Sequence, residues 1–381
     1  MARHTSDGSR RGLAPWVIVT ALAVLVIAGA TTAYVLIVNG SDDEANAGCT
    51  GQVVLPIISS AGATPAIRSA AAGFDATAPS ARSTCVTTEV TEMPGDQAVQ
   101  SLASNWLTGP GAAPSVWVPT SDADLTTLES SNSAMTAGRD PDPMAGSPVV
   151  LAVRGQDAQA LSTLGWASLP GAAGPAGSAG SAALTSGDHL IVALPEPVAN
   201  RATSYALQSV LATGSSAIDP AAVTAATAQL DALAKAGPSI QPATTADALT
   251  QLAGGQAGFT AVPVVESELA SFTAANPDTE LVAVHPAGPT VGDELYGVPL
   301  TAPWMTPTLR EAGAEFLAYL RSPAGQRILA DSDLRLTGSP PATVTTPAGA
   351  PDTSTEIQTL PDGGPAVATA LAQAIGARPA G

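Results

Sequence analysis

Covalent chemistry needs groups that titrate, attack or ligate, and this sequence carries few of them. Its histidines are His4, His189 and His285, and its cysteines are Cys49 and Cys85. No Gly-x-x-x-x-Gly-Lys-[Ser/Thr] phosphate loop is present, because no Gly-Lys pair occurs at all. His-Glu-x-x-His and Gly-x-Ser-x-Gly are also absent. His189 starts an apolar run and His285 ends one, so each reads as a structural residue before it reads as a base. The carboxylate pairs Glu266/Glu268 and Asp331/Asp333 read as solvated faces or helix caps. No catalytic residue, metal site or cofactor is expected, and the chain is not read as an enzyme.

Composition narrows the function further. The net charge is −18, with charged residues at only 12%. A nucleic-acid binder needs a basic face to release counterions, and a domain lying on anionic lipid needs the same sign of charge. Aromatic residues are 3%, so the core must be built mostly from Ala, Val, Leu and Ile. Two cysteines cannot staple a disulfide-dense scaffold or form a Cys-rich zinc module.

Pro15 to Val38 is a run of 24 residues without a charge. As a helix it spans about 36 Å, enough to cross a hydrocarbon core. Arg3, Arg10 and Arg11 precede it, and Asp42, Asp43 and Glu44 follow it. The positive-inside rule then makes residues 1–14 cytoplasmic, 15–38 a single transmembrane helix and 39–48 a tether to an extracellular domain. Cleavage after Ala45-Asn46-Ala47, or lipid modification of Cys49, are the alternatives. In an oxidising compartment Cys49 and Cys85 pair as a disulfide; two unpaired buried thiols are the alternative.

Beyond the tether, strands and helices alternate. Gln52–Ile58, Cys85–Val90, Ser115–Val118 and Pro148–Val153 are apolar runs of strand length. Between them lie helical patterns at Thr64–Ala76, Gln97–Leu107 and Asp122–Ser131. Later strands are expected at His189–Leu194, Gly258–Val262, Leu281–Val284 and Leu295–Pro299. Helices are expected near 202–212, 220–236, 245–252 and 306–320. This alternation is the mark of an α/β fold with parallel sheets covered on both faces. Residues 339–381 form a Pro/Thr-rich tail, extended and poorly ordered to 362, with a terminal helix at Ala366–Ile375.

Several segments in order carry a resemblance: QVVLPIISSAGATPAIRSAAAGF, SVWVPTSD, GSPVVLAV, AGFTAVPVVESEL, LVAVHPAGPTVGDELYGVPL and FLAYLRSPAGQRILADSDLR. Together they resemble the two-lobed type II periplasmic-binding-protein fold of extracellular solute-binding proteins. The resemblance is nearest to membrane-anchored actinobacterial proteins that carry this domain ahead of a von Willebrand factor A domain. No Asp-x-Ser-x-Ser metal-adhesion loop occurs in these residues. The resemblance implies a solute-binding domain at 49–338. Lobe one would be 49–147 and 266–338 and lobe two 148–265, with crossovers at 146–148 and within 264–282. Ligands in such proteins sit between the lobes, at strand ends and helix starts.

Free helix N-terminal amides and hydroxyls suit a polar ligand there. The candidates are Ser59, Ser60, Thr120, Ser121, Ser147 and Glu266. Where anion-binding relatives present a hydroxyl straight after the third strand, this chain has Pro119, which lacks an N–H donor, and the arginine nearest these turns is Arg68. The negative charge also opposes steering of anions. The expected function is non-covalent binding of a small polar solute, neutral or zwitterionic, with a transporter permease as a possible partner. The alternative is a ligand-free module that binds an envelope protein.

Overall fold

The computed structural model describes residues 49–137, 141–174, 182–255, 257–337 and 359–376. The expected cytoplasmic segment, membrane span and tether lie outside the described residues. Among the described residues no helix is long and apolar enough to cross a membrane.

The first lobe is built on strands β1 (Gln52–Ser59), β2 (Ser80–Ala81), β3 (Thr84–Glu92) and β4 (Val116–Val118). β1 runs parallel to both β3 and β4. Helix α1 (Thr64–Asp75) lies in the connection that returns the chain from β1 to the parallel β3. It buries Ile67, Ala70, Ala71 and Phe74, the stripe its helical spacing marks. Helices α2 (Gly95–Ala103) and α3 (Asp122–Asn132) cover the opposite face over Leu102, Trp117 and Leu128.

The second lobe departs from the parallel expectation. Strand β5 (Ala145–Arg154) is followed by α4 (Arg201–Leu211), α5 (Pro220–Ala225), α6 (Thr227–Ala236) and α7 (Thr245–Ala253). Strand β6 (Ala261–Val265), helix α8 (Glu266–Ala275), and strands β7 (Leu281–Val284) and β8 (Thr290–Leu295) complete its central part. β6, β7 and β8 all run antiparallel to β5. Leu151–Val153 is sheet-paired on both edges, which is why this stretch reads as a continuous apolar run. The 189–194 segment is not a strand; it meets β6 through an isolated bridge at Val192.

The chain then returns through β9 (Val298–Pro299), α9 (Pro307–Leu320), α10 (Pro323–Asp331) and β10 (Arg335–Leu336). β9 closes the first sheet against β4. Phe316 of α9 meets Phe74 edge-on, with ring centroids 5.5 Å apart. Last come β11 (Thr359–Leu360) and α11 (Gly364–Ala374). β11 pairs in parallel with β8, so residues 359–360 belong to the second sheet and not to an extended tail.

Two strands cross between the lobes. On β5, Ala145 packs in the first core and Val149 in the second. On β8, Val291 packs in the second core and Leu295 in the first. The return crossing therefore falls at 292–294. The lobe boundary read at 266 is corrected: β7 pairs with Leu151–Arg154 of β5, which keeps it and the preceding α8 in lobe two.

Cys49 and Cys85 form a disulfide with Cα atoms 5.4 Å apart, tying the entry of β1 to β3. Replacing both cysteines with serine should lower the unfolding free energy by about 4 kcal/mol, the chain-entropy value for a loop of this size. Urea unfolding checks this, and thiol titration of the denatured protein should find free thiols only after reduction.

Candidate functional site

Between the lobes lies an open cleft of about 800 Å³. Lobe one contributes the Ala61–Gly62 turn, Ser69 of α1 and the Asp331–Leu334 turn. Lobe two contributes the starts of α4 and α7 and one side of α8. Thr244 caps α7, its hydroxyl accepting from the Asp247 amide at 3.0 Å. Asn200 Oδ1 accepts from the Thr245 amide at 3.1 Å, so one side chain ties two helix starts together.

A charged row closes the inner end of the cleft. Arg201 Nη2 meets Glu268 Oε1 at 2.5 Å and Asp293 Oδ2 at 3.0 Å. Tyr205 donates its hydroxyl to Asp293 Oδ1 at 3.2 Å. Asp293 sits on the returning crossover strand and is 2% exposed. Burial pushes its carboxyl up, against the pull of Arg201. Burial also raises Glu268, again against Arg201. For Arg201 burial disfavours the charge, but the two carboxylates more than restore it and its pKa rises. Gly62 of lobe one lies directly on this row. A Cβ there would fall 2.5 Å from Asp293 Oδ2 and 2.7 Å from Arg201 Nη2. Only glycine lets the lobe-one turn approach so closely.

The residues expected from sequence fall elsewhere. Ser59 and Ser60 are buried at the end of β1, and neither caps α1; Ala63 occupies that position. The turn Ala61–Ala63 intervenes, and it is this turn that reaches the cleft. Ser60 Oγ is buried without a hydrogen-bond partner. Thr120 is buried, its carbonyl accepting from the Glu294 amide at 3.0 Å. Ser147 is spent on α8, its hydroxyl accepting from the Ser267 amide at 2.9 Å.

Glu266 is held by Arg335 Nε at 2.6 Å and by His285 Nε2 at 2.6 Å. Burial raises its carboxyl, but the bonds to Arg335 and His285 together outweigh this and leave it below the ordinary range. None of these five residues lines the cleft. The charged groups at its inner end, Arg201, Glu268 and Asp293, were not among the residues expected from sequence. The available signal was the acidic pair Asp293-Glu294 inside a short strand between Val291 and Leu295, where a buried carboxylate demands a cation.

A second polar knot joins the lobes beyond Tyr205. Ser121 donates its hydroxyl to Asp362 Oδ2 at 3.2 Å. Gln208 Nε2 and the Gly364 amide donate to Asp362 Oδ1 at 2.9 and 3.0 Å. Ser121 occupies the N-cap position of α3 but makes no side-chain cap there. Asp124, in the first turn of α3, is pushed up to about 6, by burial first, then by Asp362, then by Asp96.

A family model for bacterial extracellular solute-binding proteins matches residues 55–334. The chain belongs to this family. Its structure is similar to the sulfate-binding protein SubI of Mycobacterium tuberculosis, with TM-score 0.50 and 16% identity over 82% of this chain and 96% of that one. It is also similar to a ferric binding protein of Campylobacter jejuni, with TM-score 0.55 and 13% identity over 84% and 96%. At these identities the likeness is one of fold. An uncharacterized protein of Mycobacterium tuberculosis, Rv1836c, is 27% identical over 350 residues, covering 89% of this chain. The chain spans about half the length of that relative, 51%. The matched family is one of extracellular solute-binding proteins.

Two stability measurements test the electrostatics. Glu266→Gln should cost about 3 kcal/mol at pH 7, because it leaves Arg335 and His285 facing a neutral group. A lowered folded pKa stabilises fully above the unfolded value of 4.5 and is lost as pH falls through the folded value, so the cost should shrink in acid. Asp124 has the opposite sign. Its raised pKa makes the fold lose stability as pH rises from 3.8 to about 6. Asp124→Asn should therefore be more stable than the parent at pH 7.5, by roughly 2 kcal/mol, and nearly equal to it at pH 4. Urea unfolding at these pH values reads both effects.

Proposed function

We propose that the chain is an extracytoplasmic binding protein that holds a small polar solute non-covalently in the 800 Å³ cleft, with lobe closure as its response. The observation that carries the reading is the charge of the cleft wall. Among the described residues lining it, Arg201 is the only cation, and Glu268 and Asp293 engage it. Asp331, Asp333 and Glu268 make the wall acidic, and Ser69, Thr244 and Ser271 add hydroxyls. Such a surface suits a solute carrying an ammonium group or several hydroxyls. It does not suit a free oxyanion, which would compete with carboxylates already in place.

The membrane anchor at 15–38, delivery to a permease, and kinship with anchored proteins bearing a von Willebrand factor A domain belong to the same proposal. They rest on the sequence pattern. Binding of an envelope protein through a cleft without solute is the second reading, favoured by Asp362 already filling part of the space between the lobes.

Thermal melts against polyamines, betaines, sugars, sulfate and molybdate test the solute class. A ligand specific to the native state must raise the melting temperature. A saturable rise with an amine or polyol, and none with the oxyanions, is the expected result. Glu268→Gln should then weaken an ammonium ligand roughly tenfold, as expected for loss of a charge-assisted contact. A rise with sulfate or molybdate alone would overturn the class, and a flat panel would favour the protein-binding reading.

A further inference from the structure

We propose that the C-terminal arm, residues 359–376, is a strap that fastens the two lobes together through the carboxylate of Asp362 and so sets how readily the cleft opens. The proposal rests on the reading that the lobes move about β5 and β8. The arm is rooted in lobe two. β11 extends the second sheet beside Thr290–Val291, and Leu360, Val367 and Leu371 are buried in that lobe's core. Its turn reaches the other lobe. Asp362 takes one hydrogen bond from Ser121 of lobe one and one from Gln208 of lobe two. Its third comes from the arm's own Gly364 amide. Gln208 Oε1 in turn accepts from the Gly363 amide at 2.8 Å, so the turn is gripped on both of its polar edges.

The backbone makes this reach specific. Gly364 has φ +76, a conformation that side chains resist, and a Cβ there would fall 2.9 Å from Ala123 Cβ. The arm lies outside the 55–334 region matched to the family model. A carboxylate bound by donors from both lobes does for the closed state what a bridging ligand does, but it is covalently tethered and always present. Asp124 of lobe one opposes it by facing Asp362 with a second carboxyl group. The strap is thus held by hydrogen bonds and loosened by repulsion, which leaves closure adjustable rather than locked.

The test measures lobe separation without any solute, so it stands apart from the solute-binding reading. In the full chain, Arg68→Cys on α1 and Thr250→Cys on α7 place spin labels on exposed positions flanking the cleft. The native cysteines are held in their disulfide. Asp362→Ala should lengthen and broaden the electron–electron distance distribution, raising the open-to-closed ratio roughly tenfold, as loss of a hydrogen bond to a charged group implies. Ser121→Ala should do the same from the other lobe, and the double variant should open no further than either single one. Parent-like distances in both folded single variants would overturn the strap and reduce the arm to lobe-two packing. If Asp362→Ala fails to fold, Ser121→Ala alone decides, because Ser121 is only partly buried and outside the arm.

Discussion

The ion pair between Arg201 and Asp293 is the constraint around which the site is arranged. Asp293 is nearly sealed from solvent, on a strand that must pass between two cores. A carboxylate in that position is costly unless a cation and hydrogen-bond donors meet it. Arg201 and Tyr205, one turn apart on α4, supply both. Their need to reach Asp293 brings the start of α4 to the inner wall of the cleft. The bare backbone of Gly62 allows lobe one to close over the same pair. Helix, crossover strand and lobe-one turn are therefore held in one place by a single polar contact.

The crossovers explain how such a contact can coexist with motion. β5 and β8 touch at Ser147–Asp293 and Pro148–Gly292. A Cβ on Gly292 would come 2.4 Å from the Ser147 carbonyl oxygen, so the two strands pass with almost no side chain between them. Among the described residues, these strands carry the chain from one core to the other. A narrow two-strand waist bends at little cost, whereas each lobe buries its own apolar clusters and resists deformation. Glu266 with Arg335, and Ser121 with Asp362, add polar contacts between the lobes close to this waist.

Charge placement ties this geometry to recognition. The chain carries −18 overall, yet its buried carboxylates at the lobe interface are not left alone. Glu266 has Arg335 and His285, Asp293 has Arg201, and Asp362 has neutral donors. The cleft wall keeps its excess of carboxylates facing open space. That division separates the charges that hold the lobes from those available to a solute.

Much of the fold was legible in the residues themselves. Helix α1, the parallel lobe-one strands and the Cys49–Cys85 pair follow from local patterns: a 3.6-residue apolar stripe, continuous apolar runs and an even cysteine count. The residue segments that resemble solute-binding proteins indicate two lobes for the same reason, because each is a local strand-turn-helix unit. The antiparallel pairing of β5, the second crossing at 292–294 and the partners of every candidate hydroxyl were decided only in three dimensions. Ser147, Glu266 and Ser121 have the right chemistry for a site. Which atoms they meet depends on partners 120, 69 and 241 positions away. Local sequence specifies the period and caps of an element; it does not specify which distant element will satisfy a polar group, because that depends on how the cores pack.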